Sequence, residues 1–131
     1  MTFLLDTNIC VPLINGTDRA LRDRLLSHRP DEIVLCSVVK AELAFGARNS
    51  ERAAKNLDRL QRFCGGFRSL PFDDDAADHY GDLRALLRRE GRPIGANDML
   101  IAAIALAARV TLVTRNVDEF ARVPQLSVVA W

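Results

Sequence analysis

The chain has 131 residues, a formal net charge of +1 and 49% hydrophobic residues. That is enough for one globular domain with a real core and too little for two, and it excludes a disordered chain. Near-neutral charge leaves a nucleic-acid partner open, but Lys40 and Lys55 are the only lysines among 18 basic residues, and arginine is the better bidentate phosphate ligand; a high-GC coding bias is the plain alternative.

Thr2–Leu5 is a short apolar run with the pattern of a buried parallel strand. Asp6, Thr7 and Asn8 offer N-caps for a helix over Ile9–Ile14. Asn15–Asp18 breaks that helix and caps the next, where Leu21, Leu25 and Leu26 recur at helical spacing until Pro30-Asp31 ends it. Ile33–Cys36 reads as the second strand, and Ser37 as the cap of a helix carrying Val38, Val39, Leu43 and Ala44. Gly46 and Asn49-Ser50 loosen the chain before an amphipathic helix with Leu57, Leu60, Phe63 and Cys64 on one side.

Gly65-Gly66 stops that helix, and Ser69–Phe72 predicts a third strand whose Pro71 suits only an edge. Asp73–Asp75 open a helix running to about Glu90. The loop Gly91–Gly95 leads to Asn97 as a cap, Asp98 as a first-turn acid, and a helix apolar all round, which must be buried. Thr111–Thr114 is the fourth strand, Asp118–Ala121 a helical turn, and Leu126–Val129 a last strand closed by Trp131. This alternation, free of repeats and linkers, predicts a single three-layer α/β/α domain over residues 1–131. Its central sheet should be mostly parallel, with four to five strands.

Cys10, Cys36 and Cys64 are odd in number and lack C-x-x-C spacing, which predicts neither a disulfide framework nor a zinc site and fits a reducing cytosol. The apolar start stops at Asp6, so no signal peptide is read. The longest apolar run, Met99–Ala108, falls short of the roughly 20 residues a membrane span needs. The expectation is a soluble cytoplasmic protein with no membrane partner.

In a doubly wound sheet the carboxyl ends of the strands gather along one edge, where ligands bind. Asp6, Glu42, Asp98 and Glu119 stand just past four separate strand or strand–helix segments, so this topology brings them together. Carboxylate and carbonyl oxygens are the ligands of Mg²⁺ or Mn²⁺, not of zinc or copper. Taken singly, Asp6 and Asp98 also read as helix caps or first-turn acids, and Glu42 as half of a surface pair with Lys40. Asp98 heads a buried helix, where an unpaired charge is expensive and a cation relieves it. Asn116 and Glu119, three apart, share one side of a helical turn, whereas Asp118 points elsewhere.

Other features have plainer readings. Asp73–Asp75 suit a helix N-terminus better than a metal site. His28 and His79 are the only histidines, both read in polar helical surroundings. Arg84, Arg88, Arg89 and Arg92, with Arg115 beside Asn116, are either a solvated face or a track for an RNA backbone.

Four segments then meet a family. Asp6-Thr7-Asn8, the run Val38–Gly46 around Glu42, Gly91–Ala103 around Asp98, and Thr114–Phe120 resemble a PIN domain, and more narrowly the VapC-type toxins of bacterial toxin–antitoxin pairs. The resemblance runs the whole length. It implies a metal-dependent endoribonuclease that cuts structured RNA, tRNA or ribosomal RNA, and is silenced by a VapB-type antitoxin, with a homodimer inside the toxin–antitoxin complex. It carries Asp6, Glu42 and Asp98 over as catalytic acids, with Asn116 and Glu119 completing the set around one or two Mg²⁺ or Mn²⁺ ions. Thr7, Asn8 and Thr114 stand behind them. The family's fourth acidic position is often Asp and is Asn116 here, an oxygen without a charge, for which Glu119 can compensate. A second reading is a weakened PIN module acting mainly through protein contacts, supported only by Asn116. A phosphate-accepting receiver or phosphatase is disfavoured, because no lysine follows Lys55 and Asp6 is not the start of Asp-x-Asp.

Overall fold

The computed structural model describes residues 1–131. Five strands form one sheet in the order β3-β2-β1-β4-β5, every pairing parallel. They are β1 (Phe3–Leu5), β2 (Ile33–Cys36), β3 (Arg68–Leu70), β4 (Thr111–Val113) and β5 (Val128–Val129). Around them lie α1 (Thr7–Asn15), α2 (Arg19–Leu26), α3 (Ser37–Arg48), α4 (Ala53–Cys64), α5 (Asp74–Arg89), α6 (Ala96–Ala108) and α7 (Val117–Phe120). Successive residues of a strand face opposite sides of the sheet, so a strand buried at every position is covered on both. All four residues of β2 and all three of β4 are buried. The expected α/β/α layering follows, with a wholly parallel sheet of five strands.

From the central strand β1 the chain winds outward through β2 to β3, then crosses back to β4 and β5 on the other side of β1. The order reverses between β1 and β4, and that is where a doubly wound sheet opens a crevice at its carboxyl edge. The amide of Asp6 still donates to the carbonyl of Val113 at 2.9 Å, extending the ladder one residue beyond β1. Asp6 and Thr114 are therefore neighbours because of register.

Several boundaries differ from the sequence expectation, each for a local reason. Helix α1 begins at Thr7, with Asp6 as its N-cap, and ends where Gly16 takes a left-handed conformation (φ 67°), which costs glycine nothing. Pro30 ends no helix; it opens a short 3₁₀ turn, Pro30–Glu32, after α2 has stopped at Leu26. Cys36, not Ser37, holds the cap position of α3 and makes no side-chain cap bond, while Ser37 Oγ donates to the Leu70 carbonyl. Strand β3 starts one residue and ends two residues earlier than expected, so Pro71 sits just outside it. Asp73 caps α5 by accepting from the Ala76 amide at 2.9 Å, the structural reading of that acidic run. Helix α6 is buried as expected, with Ile101 to Ala105 at most 1% exposed. His28 lies past the end of α2 and is only partly in polar surroundings: its Nδ1 is 3.7 Å from Glu32 Oε2, while its ring stacks on Trp131 at 5.1 Å and meets Phe3 at 4.8 Å. No helix is long and apolar enough to cross a membrane, and the three cysteines are unpaired thiols.

Candidate metal centre at the carboxyl edge

Asp6 is the most deeply set acid, 4% exposed. Its Oδ1 accepts from the Thr7 amide at 2.8 Å and its Oδ2 from the Thr114 hydroxyl at 2.7 Å. Burial raises its carboxyl above the ordinary value against the pull of those two bonds, and the charges of Glu42 and Glu119 add to the rise. Thr7 then reaches across to α3, where its hydroxyl donates to Glu42 Oε1 at 2.9 Å. Glu42 is thus partnered by Thr7, not by Lys40. Asn8 ties α1 to the far loop: its Nδ2 donates to Thr114 Oγ1 at 3.4 Å and its Oδ1 accepts from the Arg115 amide at 3.2 Å.

The second half of the site lies at the start of α6. Gly95, not Asn97, holds the cap position, because its amide finds an acceptor in Glu119 Oε1 at 2.9 Å, 24 residues along the chain. Asp98 sits in the first turn. Burial, then a hydrogen bond to Glu119 and the charges of Glu119, Asp6 and Glu42, push its carboxyl up to about 7. Glu119 moves the opposite way, held below the ordinary value by the bonds from Asp98 and from the Gly95 amide. Asn116 Nδ2 donates to Glu119 Oε2, so the expected alignment of these two is present. A Cβ on Gly95 would lie 3.4 Å from Asp98 Oδ2 and 3.9 Å from Glu119 Oε1, in ordinary van der Waals contact with this carboxyl pair.

The charges of Glu42 and Glu119 thus bear on Asp6, and those of Glu119, Asp6 and Glu42 on Asp98, from α3, α7 and the start of α1. As the side chains stand, no three His, Cys, Asp or Glu groups form a ready metal cage; each carboxylate is held by its own hydroxyl, amide or carboxyl partner. The donor set is nonetheless all oxygen, and its mutual repulsion is what a hard divalent cation relieves. The basic residues divide. Arg88, Arg89 and Arg92 are exposed at the end of α5 and in the loop that runs to Asp98. Arg84 instead bonds the Tyr80 hydroxyl at 2.9 Å and lies over that ring, and Arg115 is paired with Asp18 at 2.5 Å. Sequence reasoning passed over Arg122, which donates to the Pro93 carbonyl at 3.0 Å and lowers the Glu119 carboxyl; no local pattern distinguishes it.

A pH dependence follows from Asp98. Its unfolded carboxyl ionises near 3.8 and its folded one at about 7. Between those values the folded chain holds a proton that the unfolded chain has lost, so stability falls as pH rises through that window and is flat in this respect above it. Glu119, depressed when folded, contributes the opposite slope, and only at the acid end. In chelator, the melting temperature is expected to drop between about pH 5 and about pH 7.5, and Asp98→Asn to remove most of that drop. Parallel curves for the two proteins would assign the slope to another group.

Fold and site together define an acid-edged, doubly wound α/β domain. A PIN-domain family profile matches residues 3–126. Ribonuclease VapC2 of Rickettsia felis is 38% identical over 132 residues, covering all of this chain and 98% of that protein. A tRNA(fMet)-specific endonuclease VapC of Shigella flexneri is 36% identical over 131 residues with the same coverage. Among solved structures, VapBC2 of Rickettsia felis bound to a DNA fragment from their promoter superposes with a TM-score of 0.94 at 37% identity, over 100% of this chain and 99% of that one. The chain belongs to the PIN-domain family, within its VapC ribonucleases.

Proposed function

We propose that this chain is the ribonuclease toxin of a toxin–antitoxin pair, acting as one PIN domain in the cytoplasm. It hydrolyses a structured RNA with Mg²⁺ or Mn²⁺ and is silenced by a VapB-type antitoxin. The observation that carries the reading is the convergence of Asp6, Glu42, Asp98 and Glu119 at one edge, where burial first, and then the bond to Glu119 and the neighbouring charges, push the Asp98 carboxyl to about 7. A fold accepts such repulsion where a cation is to be held. Asp6 and Asp98 would be direct ligands, with Asn116 and Glu119 completing an all-oxygen set. When bound, the ion supplies an acidified water and neutralises the scissile phosphate. The names of the enterobacterial relatives favour tRNA over ribosomal RNA as the substrate.

The chain's own groups do the positioning. The Thr114 hydroxyl spends its proton on Asp6 and the Thr7 hydroxyl on Glu42, which fixes where the free oxygens point. Glu42, half-buried at the mouth, orients the attacking water. Arg88, Arg89 and Arg92 take the RNA backbone as it enters past the loop. In-line attack leaves a 5′-phosphate and a 3′-hydroxyl.

Beside the acids, α1, α3 and α4 enclose a cleft of about 270 Å³ that includes Val11, Ile14, Leu43 and Leu60 and is rimmed by Thr7 and Glu42. Val11 is 43% exposed and Phe45, one turn beyond Glu42, 69%. An antitoxin segment with apolar side chains and an arginine would fill this cleft and pair with the carboxylates at once, within a complex built on a toxin homodimer. Ordering such a segment is offset by the apolar contact it makes. Purified protein is expected to cut tRNA with Mg²⁺ or Mn²⁺ and to stop in EDTA. Growth arrest on expression should be reversed by a small adjacent gene whose product copurifies. Products ending in 2′,3′-cyclic phosphate, or activity undiminished by chelator, would exclude the mechanism; a harmless chain with intact acids would exclude the toxin role.

A further inference from the structure

In the loop between β4 and α7, Arg115 is bound to the α1–α2 unit at two points. Asn8 Oδ1 accepts from the Arg115 amide at 3.2 Å, and Asp18 Oδ2 accepts from the Arg115 guanidinium at 2.5 Å. Asp18 is doubly used, since its Oδ1 caps α2 by accepting from the Leu21 amide at 3.0 Å. The residues on either side of Arg115 are those that touch the acids. Thr114 donates to Asp6 and accepts from the Asn116 amide at 3.0 Å, and Asn116 donates to Glu119. A long, permanently charged side chain therefore springs from the middle of a loop whose neighbouring residues bond two of the four carboxylates, Asp6 and Glu119.

Nothing local keeps that guanidinium away from them. A planar fork of donors is well matched to carboxylates, and an untied Arg115 would be drawn into the acid cluster. The structure instead sends it 97 residues back along the chain to Asp18. The main influences on the Asp6 and Asp98 carboxyls are burial, hydrogen bonds and neighbouring acids, with no cation among them. The cation that bears on Glu119 is Arg122.

We propose that Asp18 is a positioning residue that holds the Arg115 guanidinium outside the acid cluster, so that the chain's own arginine does not compete with the divalent ion. The inference rests on the metal reading given above. It also explains why one aspartate serves two bonds: the cap fixes the carboxylate at the start of α2, and only a fixed carboxylate can hold a mobile guanidinium in one place. Simple tethering of the loop is a different idea with a different outcome, because a tether is lost equally from either end.

Mn²⁺ binding by calorimetry separates them, using metal-free wild-type protein, Asp18→Ser, Arg115→Ala and the double variant. Serine keeps the cap of α2 while removing the ion pair, and melting temperatures recorded alongside confirm that each variant is folded. Asp18→Ser is expected to weaken Mn²⁺ binding by roughly tenfold, about what one misplaced charge near the ion is worth at a protein surface. Arg115→Ala alone should leave the affinity near that of wild type, and the double variant should recover it. Asp18→Asn, which keeps the cap and a neutral acceptor for Arg115, should fall between wild type and Asp18→Ser. A loss in Arg115→Ala as large as in Asp18→Ser, or no recovery in the double variant, overturns the proposal in favour of a tether. Unchanged binding in Asp18→Ser overturns it outright. Failure of wild-type protein to bind Mn²⁺ would instead remove the metal reading beneath it.

Discussion

Asp6→Asn and Asp98→Asn are each expected to reduce RNA cleavage by roughly a thousandfold, the several kcal/mol of charge stabilisation that a metal site supplies. Both should leave the protein folded. Asn keeps a cap acceptor at position 6 for the Thr7 amide, and it removes a carboxyl that burial has made costly to ionise. At position 98 it removes one of two carboxyls that now share a hydrogen bond. In chelator both variants should melt within a few degrees of wild type or above it, whereas Mn²⁺ should raise the melting temperature of wild type alone. The decisive measurement is the pairing of an activity assay with a melting curve. If either variant loses cleavage only because it unfolds, its aspartate is a structural cap and the metal reading loses a ligand.

Phe120→Ala is expected to be the most damaging single truncation near the site, costing about 3–5 kcal/mol. Phe120 is among the largest fully buried side chains, yet it ends α7, a helix of only four residues. So short a helix does not stand by its own hydrogen bonds. The buried ring holds it down, and with it Asn116 and Glu119. A loss of this size is a large fraction of what a small domain has, so chemical denaturation should show a markedly lower midpoint with little change in slope. Phe120→Leu, which refills most of the volume, should recover over half the stability and restore Mn²⁺ affinity with it. A Leu variant that is stable but binds Mn²⁺ as weakly as the Ala variant would separate packing of α7 from placement of Glu119.

Much of this protein was legible in its residue order because the relevant signals are local. Ile33–Cys36 reads as a buried strand and is one with those bounds, since an apolar run facing both layers needs no distant information. The apolar run after Asp98 could only be a buried helix, and Asp73 announced its cap. The positions of Asp6, Glu42, Asp98 and Glu119 after successive elements were visible too, because strand ends mark the edge of a parallel sheet. Tertiary structure alone decided the partners. Gly95 displaced Asn97 as the start of α6 because an acceptor arrived from Glu119, and His28 became half of an aromatic stack because Trp131 folds against Phe3. Arg115, read as a ligand for RNA, is spoken for by Asp18. Periodicity and capping act over a few residues, and so they can be read along the chain. A hydrogen bond between residues a hundred positions apart depends on register and packing, which exist only once the sheet has closed.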